Sequence, residues 1–61
     1  MSDRLVLTLK QAAEELGVSE RTVAGLVSRR EIPTARIGRR VLIPTHLLRE
    51  WLERRAAESA G

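Results

Sequence analysis

The sequence predicts a small, mainly helical domain with one β-hairpin. Three observations predict it. Two stretches with helical apolar spacing, 9–16 and 20–30, lie on either side of a turn of only Gly17, Val18 and Ser19. A run of alternating residues over 34–43 centres on Gly38. After Pro44, the stripe Leu47, Leu48, Trp51 and Leu52 announces a closing helix.

The elements follow in chain order. Leu5, Leu7 and Leu9 alternate with Val6 and Thr8, which predicts a short strand over 4–7. Thr8 followed by Gln11 has capping-box spacing and starts a helix at about Leu9. Leu9, Ala12, Ala13 and Leu16 form one apolar stripe, and the two alanines allow another helix to cross closely. Gly17 is placed to end this helix in the left-handed conformation. Ser19 is a good N-cap for the next helix, and Glu20 suits its positive end. Val23, Leu26 and Val27 are its inward residues; Arg21, Thr22, Gly25, Ser28 and Arg29 lie opposite. So brief a turn makes the two helices cross sharply, as in a helix-turn-helix unit. Pro33 cannot continue the second helix and disfavours helical geometry at Ile32. Gly38 supplies the positive φ of a turn of two or three residues, with Arg36, Arg39 and Arg40 near the tip. Thr45 caps the third helix, which is expected to fade near Ala57 into a frayed tail over 58–61. One domain over 1–61, ordered over about 4–57, accounts for the chain.

Composition narrows the function. The net charge of +3 conceals a segregation. Residues 21–40 hold six arginines against Glu31 alone, a net +5, while the other forty-one carry five basic and seven acidic groups, a net −2. Such a division implies a surface that faces a polyanion. Ten of the eleven cations are arginine, whose planar fork suits phosphate and guanine edges. With no cysteine and a single histidine, His46, the chain has neither a disulfide nor a metal site, and no cofactor is expected. Glu14, Glu15 and Glu20 read as solvated helix residues rather than catalytic carboxylates, and no nucleophile–base pair appears, so no enzymatic activity is expected. Trp51, the only aromatic residue, reads as core, which argues against single-strand or RNA binding by base stacking. Arg54 and Arg55 read as complements to a helix C-terminus, with a contact to DNA or to a partner protein as the alternative. No apolar run approaches membrane-span length and the N-terminus shows no secretory leader, so a cytoplasmic location is expected.

The segments LTLKQAAEELGVSERTV and EIPTARIGRRVLIPTHLLREWLERR, in this order and spacing, resemble the excisionase-like small winged-helix DNA-binding proteins, relatives of the DNA-binding module of MerR-type regulators. The resemblance covers about residues 5–55. It implies a winged helix-turn-helix with Ser19 to Arg30 as the major-groove helix. The hairpin over 34–43 is then the wing, with Arg36, Gly38, Arg39 and Arg40 nearest DNA. It also implies a recombination directionality factor that binds and bends attachment-site DNA and helps a tyrosine integrase run in the excision direction. The resemblance further implies a bacterial host cell and association with its nucleoid. Other members of the family are small transcriptional regulators, the alternative reading. The sequence departs from the family pattern in two places. Ala24 and Gly25 stand where an aromatic residue and an arginine are frequent. Arg30 stands where a glycine commonly ends the second helix, so this helix is expected to run on or to cap differently.

Together these readings name Ser19, Glu20, Arg21, Thr22, Gly25, Ser28, Arg29, Arg30, Arg36, Gly38, Arg39 and Arg40 as the candidate contacts to double-stranded DNA. Arginines of the wing and helix ends are expected on phosphates, and the exposed face of 20–29 on base edges, with Arg21 directed to guanine. Gly25 either lets the helix backbone approach DNA closely or simply weakens the helix. A lone module covers only about 600–1,000 Å² of protein surface on DNA, so cooperative self-association on repeated sites is expected.

Overall fold

The computed structural model describes residues 4–60; residues 1–3 and 61, which complete the expected domain, lie outside the described residues. Strand β1 (Val6–Leu7) leads into helix α1 (Leu9–Leu16), helix α2 (Glu20–Ser28), strands β2 (Ala35–Ile37) and β3 (Arg40–Pro44), and helix α3 (Thr45–Ala60). The order and type of the elements are those the sequence predicts, and the architecture is a winged helix-turn-helix.

The capping box at α1 forms in full. Gln11 N–H donates to Thr8 Oγ1 at 3.1 Å, and Thr8 N–H donates to Gln11 Oε1 at 3.0 Å, which satisfies two backbone donors that the helix cannot. At the other end Gly17 takes φ +73, and Val18 N–H reaches back to Ala13 O at 3.0 Å. Ala12 and Ala13 are buried, so α1 and α2 meet across small side chains. Leu7, Val23, Ile32 and Ile43 fill the centre of the core with almost no exposure, joined by Leu26 and Leu48. Leu9, Leu16, Val27 and Trp51 pack around them half-buried.

The hairpin belongs to a larger sheet. β1 pairs antiparallel with β3 through Val6↔Pro44 and Leu7↔Ile43, giving the three-stranded order β1-β3-β2. The strand expected over 4–7 thus pairs only through its last two residues, and Pro44 ends β3 instead of following it. Ile37 and Arg40 are paired, so the turn has two residues, Gly38 and Arg39. Gly38 has φ +62 and Arg39 is not left-handed, the pattern of a type II′ turn.

Two expectations about α3 are corrected. Thr45 is the first helical residue and not its cap: its hydroxyl donates to Arg4 O at 2.6 Å and its N–H donates to Leu5 O at 2.9 Å. The side chain is used to fasten α3 to the N-terminal strand. The helix also continues to Ala60 instead of fading near Ala57. No glycine or proline interrupts 45–60, and alanine and glutamate are good helix formers. Arg54 and Arg55 therefore lie inside the helix and not in its last turn, which removes the helix-end role read for them.

Candidate nucleic-acid interface

The entry to α2 is built on two hydroxyls. Ser19 is extended and its Oγ accepts from Thr22 N–H at 3.1 Å; the two side-chain oxygens lie 2.8 Å apart. Ser19 and Thr22, both candidate contacts, thus hold each other at the helix start and fix where Glu20 and Arg21 emerge. Val23 and Leu26 turn inward and set the opposite face outward. Arg21, Thr22, Ser28 and Arg29 are exposed along that face, and Gly25 is half-buried. A methyl group added at Gly25 would meet nothing within 4 Å, so no packing inside this chain demands a glycine there.

At its exit α2 neither runs on nor abandons the usual geometry. Arg30 N–H donates to Val27 O and Glu31 N–H to Leu26 O, both at 2.9 Å, the paired bonds of a Schellman motif. Arg30 occupies the left-handed position with φ +59, the one described non-glycine residue there. Glycine is thus dispensable to the motif, at a conformational cost of about 1–2 kcal/mol for an L-residue. The expectation of a longer or different cap is corrected accordingly.

Glu31, counted in the sequence only as the single acid of the basic stretch 21–40, is a bridge. Its Oε2 accepts from Arg29 Nε at 2.7 Å and its Oε1 from Arg55 Nη1 at 3.2 Å. The Arg55 guanidinium also lies 5.7 Å from the centre of the Trp51 ring, within cation–π range. The hydrogen bond from Arg29, then that from Arg55, holds the Glu31 carboxyl below the ordinary glutamate range. The pairing of Arg29 with Glu31 has a sequence signal, a separation of two residues. The pairing with Arg55, 24 residues away, has none.

Residues 29–34 connect α2 to the wing, with Ile32 pinned in the core. Register distributes the wing arginines. Arg36 lies opposite Val41 and so shares a sheet face with Val41, Ile43 and Leu7, the face turned to the core. Arg40 lies opposite Ile37 on the other face, and Arg39 is in the turn. All three are exposed, as is Gly38. The arginines gather at one end of the hairpin but flank its tip on both sides rather than forming a single-faced patch. Of the twelve candidate residues, Ser19, Glu20, Arg21, Thr22, Gly25, Ser28, Arg29 and Arg30 form one continuous stretch on α2 and its caps. Arg36, Gly38, Arg39 and Arg40 form the wing end.

A sharply joined helix pair, an exposed polar face on the second helix and a basic hairpin wing with a two-residue turn define a DNA-binding helix-turn-helix protein. Residues 6–56 match the helix-turn-helix domain family, and the chain belongs to it. No curated protein and no solved structure matches the chain. Among the described residues, no helix is long and apolar enough to cross a membrane, and no three His, Cys, Asp or Glu side chains gather as metal ligands would.

Proposed function

We propose that this protein is a sequence-specific, DNA-bending excisionase, acting beside a tyrosine integrase on attachment-site DNA. The observation that carries this reading is the wing, whose Arg36 and Arg40 stand on opposite faces of a hairpin tipped by Arg39. Cations on both sides of a thin ribbon suit a groove bordered by two phosphate strands, and neutralising both strands favours local bending. The face of α2 reads bases from the major groove. Arg21 takes a guanine edge, Glu20 a cytosine amino group, and Thr22 a phosphate or a thymine methyl. Ser28, Arg29 and Arg30 hold backbone, and Gly25 allows the helix close to the duplex. Several copies bind side by side on repeated sites, since one module buries too little surface to hold DNA tightly alone.

Two measurements test this. In an integration/excision assay with a cognate integrase, the protein stimulates excision and suppresses integration. Promoter repression with no effect on either reaction would establish the small transcriptional regulator instead. In binding assays, Arg39→Ala weakens specific and random duplexes alike and flattens the salt dependence by about one unit of slope, whereas Arg21→Ala chiefly loses discrimination. Equal losses on specific and random DNA for both variants would overturn the division between wing and helix.

A further inference from the structure

The bridge at the exit of α2 has the form of an occupied anion seat. Two guanidinium groups from different elements, Arg29 after α2 and Arg55 on α3, converge on the two oxygens of one carboxylate. Arginine forks grip phosphate oxygens with the same geometry. The seat is open: the side chains of Arg29, Glu31 and Arg55 retain 66%, 33% and 52% of their exposure. An exposed ion pair contributes little to stability, so exchanging one partner for another anion is cheap. The Arg55 guanidinium also lies over the Trp51 ring, 5.7 Å from its centre, a contact that does not depend on which anion Arg55 holds. Arg30, between the two paired residues, is held in its left-handed conformation and adds a third exposed cation at the same exit.

We propose that Glu31 is a built-in phosphate substitute: in the free protein its carboxylate fills a seat made by Arg29 and Arg55, and a backbone phosphate of bound duplex DNA displaces it. Arg55 is thereby a DNA-binding residue supplied by α3, outside both the reading helix and the wing. Glu31 acts as a brake on sequence-independent affinity, because two cations near α2 become available only when a correctly docked duplex presents a phosphate to the seat. This rests on the DNA-binding reading above.

The test compares wild type with Glu31→Gln and Glu53→Gln, the second removing an equal charge from α3 at a residue outside both ion pairs. Glu31→Gln is expected to bind random-sequence duplex about three- to tenfold more tightly, with a salt slope steeper by about one unit, the change for one further phosphate contact. Glu53→Gln is expected to gain less than twofold. Adding Arg55→Ala to Glu31→Gln is expected to abolish the gain. An equal gain in both glutamine variants, no gain, or a gain that survives Arg55→Ala would overturn the proposal. A second measurement needs no variant. Duplex carrying a specifically bound site, added to the wild-type protein, is expected to shift the Nε resonances of both Arg29 and Arg55, and inorganic phosphate at matched ionic strength to shift neither. Unmoved resonances in protein saturated with that specific duplex would overturn the seat, and equal shifts with free phosphate would overturn its assignment to the DNA backbone. Failure of the wild type to bind any duplex at low salt would instead remove the DNA-binding reading itself, a result distinguishable from binding without the Glu31 effect.

Discussion

The two helices of the helix-turn-helix end in the same way with opposite residues. After α1, Gly17 sits at φ +73 and Val18 N–H bonds back to Ala13 O. After α2, Arg30 sits at φ +59 and Glu31 N–H bonds back to Leu26 O. Glycine enters this region without penalty, whereas arginine is disfavoured by about 1–2 kcal/mol. What holds Arg30 there is the residue two places on. Ile32 is 2% exposed, and burying such a side chain contributes about 1.5–3 kcal/mol, enough to outweigh the local cost. The left-handed turn is therefore dictated by where the chain must go next. Glycine lowers the cost of the turn but does not cause it.

Gly17→Ala gives the largest effect. Open space surrounds the position, so the loss is conformational alone, about 1–2 kcal/mol, read as a fall in Tm of roughly 4–8 °C per kcal/mol. An unchanged Tm would mean that the end of α1 relaxes at no cost, and the contrast with α2 would lose its force. Next, Arg30→Gly is expected to stabilise the fold by about 1 kcal/mol while weakening duplex binding and flattening its salt slope by about one unit. Thermal melting and binding curves on the same preparation check both signs; a variant more stable and equally tight on DNA would show that the strain serves nothing on DNA. Gly25→Ala is slightly smaller, a gain of about 0.8 kcal/mol from helix propensity, because its methyl meets no neighbour. Weaker duplex binding by this more stable variant would mark Gly25 as a point of close approach; unchanged binding would leave it as a plain weak spot. Smallest is the effect of acid. Because the folded-state pKa of Glu31 is depressed, its stabilising contribution is complete above the ordinary glutamate value of ~4.3 and is lost as pH falls through the lower folded value. Acid titrations of stability for wild type and Glu31→Gln are therefore expected to differ in slope only below about pH 4.3.

The same contrast separates what could be read in the sequence from what could not. The capping box of Thr8 and Gln11, the glycine end at Gly17, the cap at Ser19 and the turn at Gly38 were all legible, because each depends on residues within a few positions of one another. The inward stripe of α2 was legible for the same reason. The left-handed Arg30 was not, since its cause is the burial of Ile32 in a core assembled from distant elements. Nor was the Glu31–Arg55 bridge, which joins the connection after α2 to the body of α3 across 24 positions with no shared periodicity. Register split the wing arginines between two faces, a detail that composition cannot supply. Thr45 carried a true helix-start signal that tertiary structure diverted to the carbonyl of Arg4.

That diversion bears on how the molecule is made. β1 finds its hydrogen-bonding partner 36 positions downstream, through Leu7↔Ile43, whereas the hairpin of β2 and β3 closes across two residues. Short loops close first, and distant pairings wait on the chain entropy they consume. β1 is thus made well before the strand it needs and is among the last elements to find its place, and release of the nascent chain short of Ile43 would leave β1 with nothing to join.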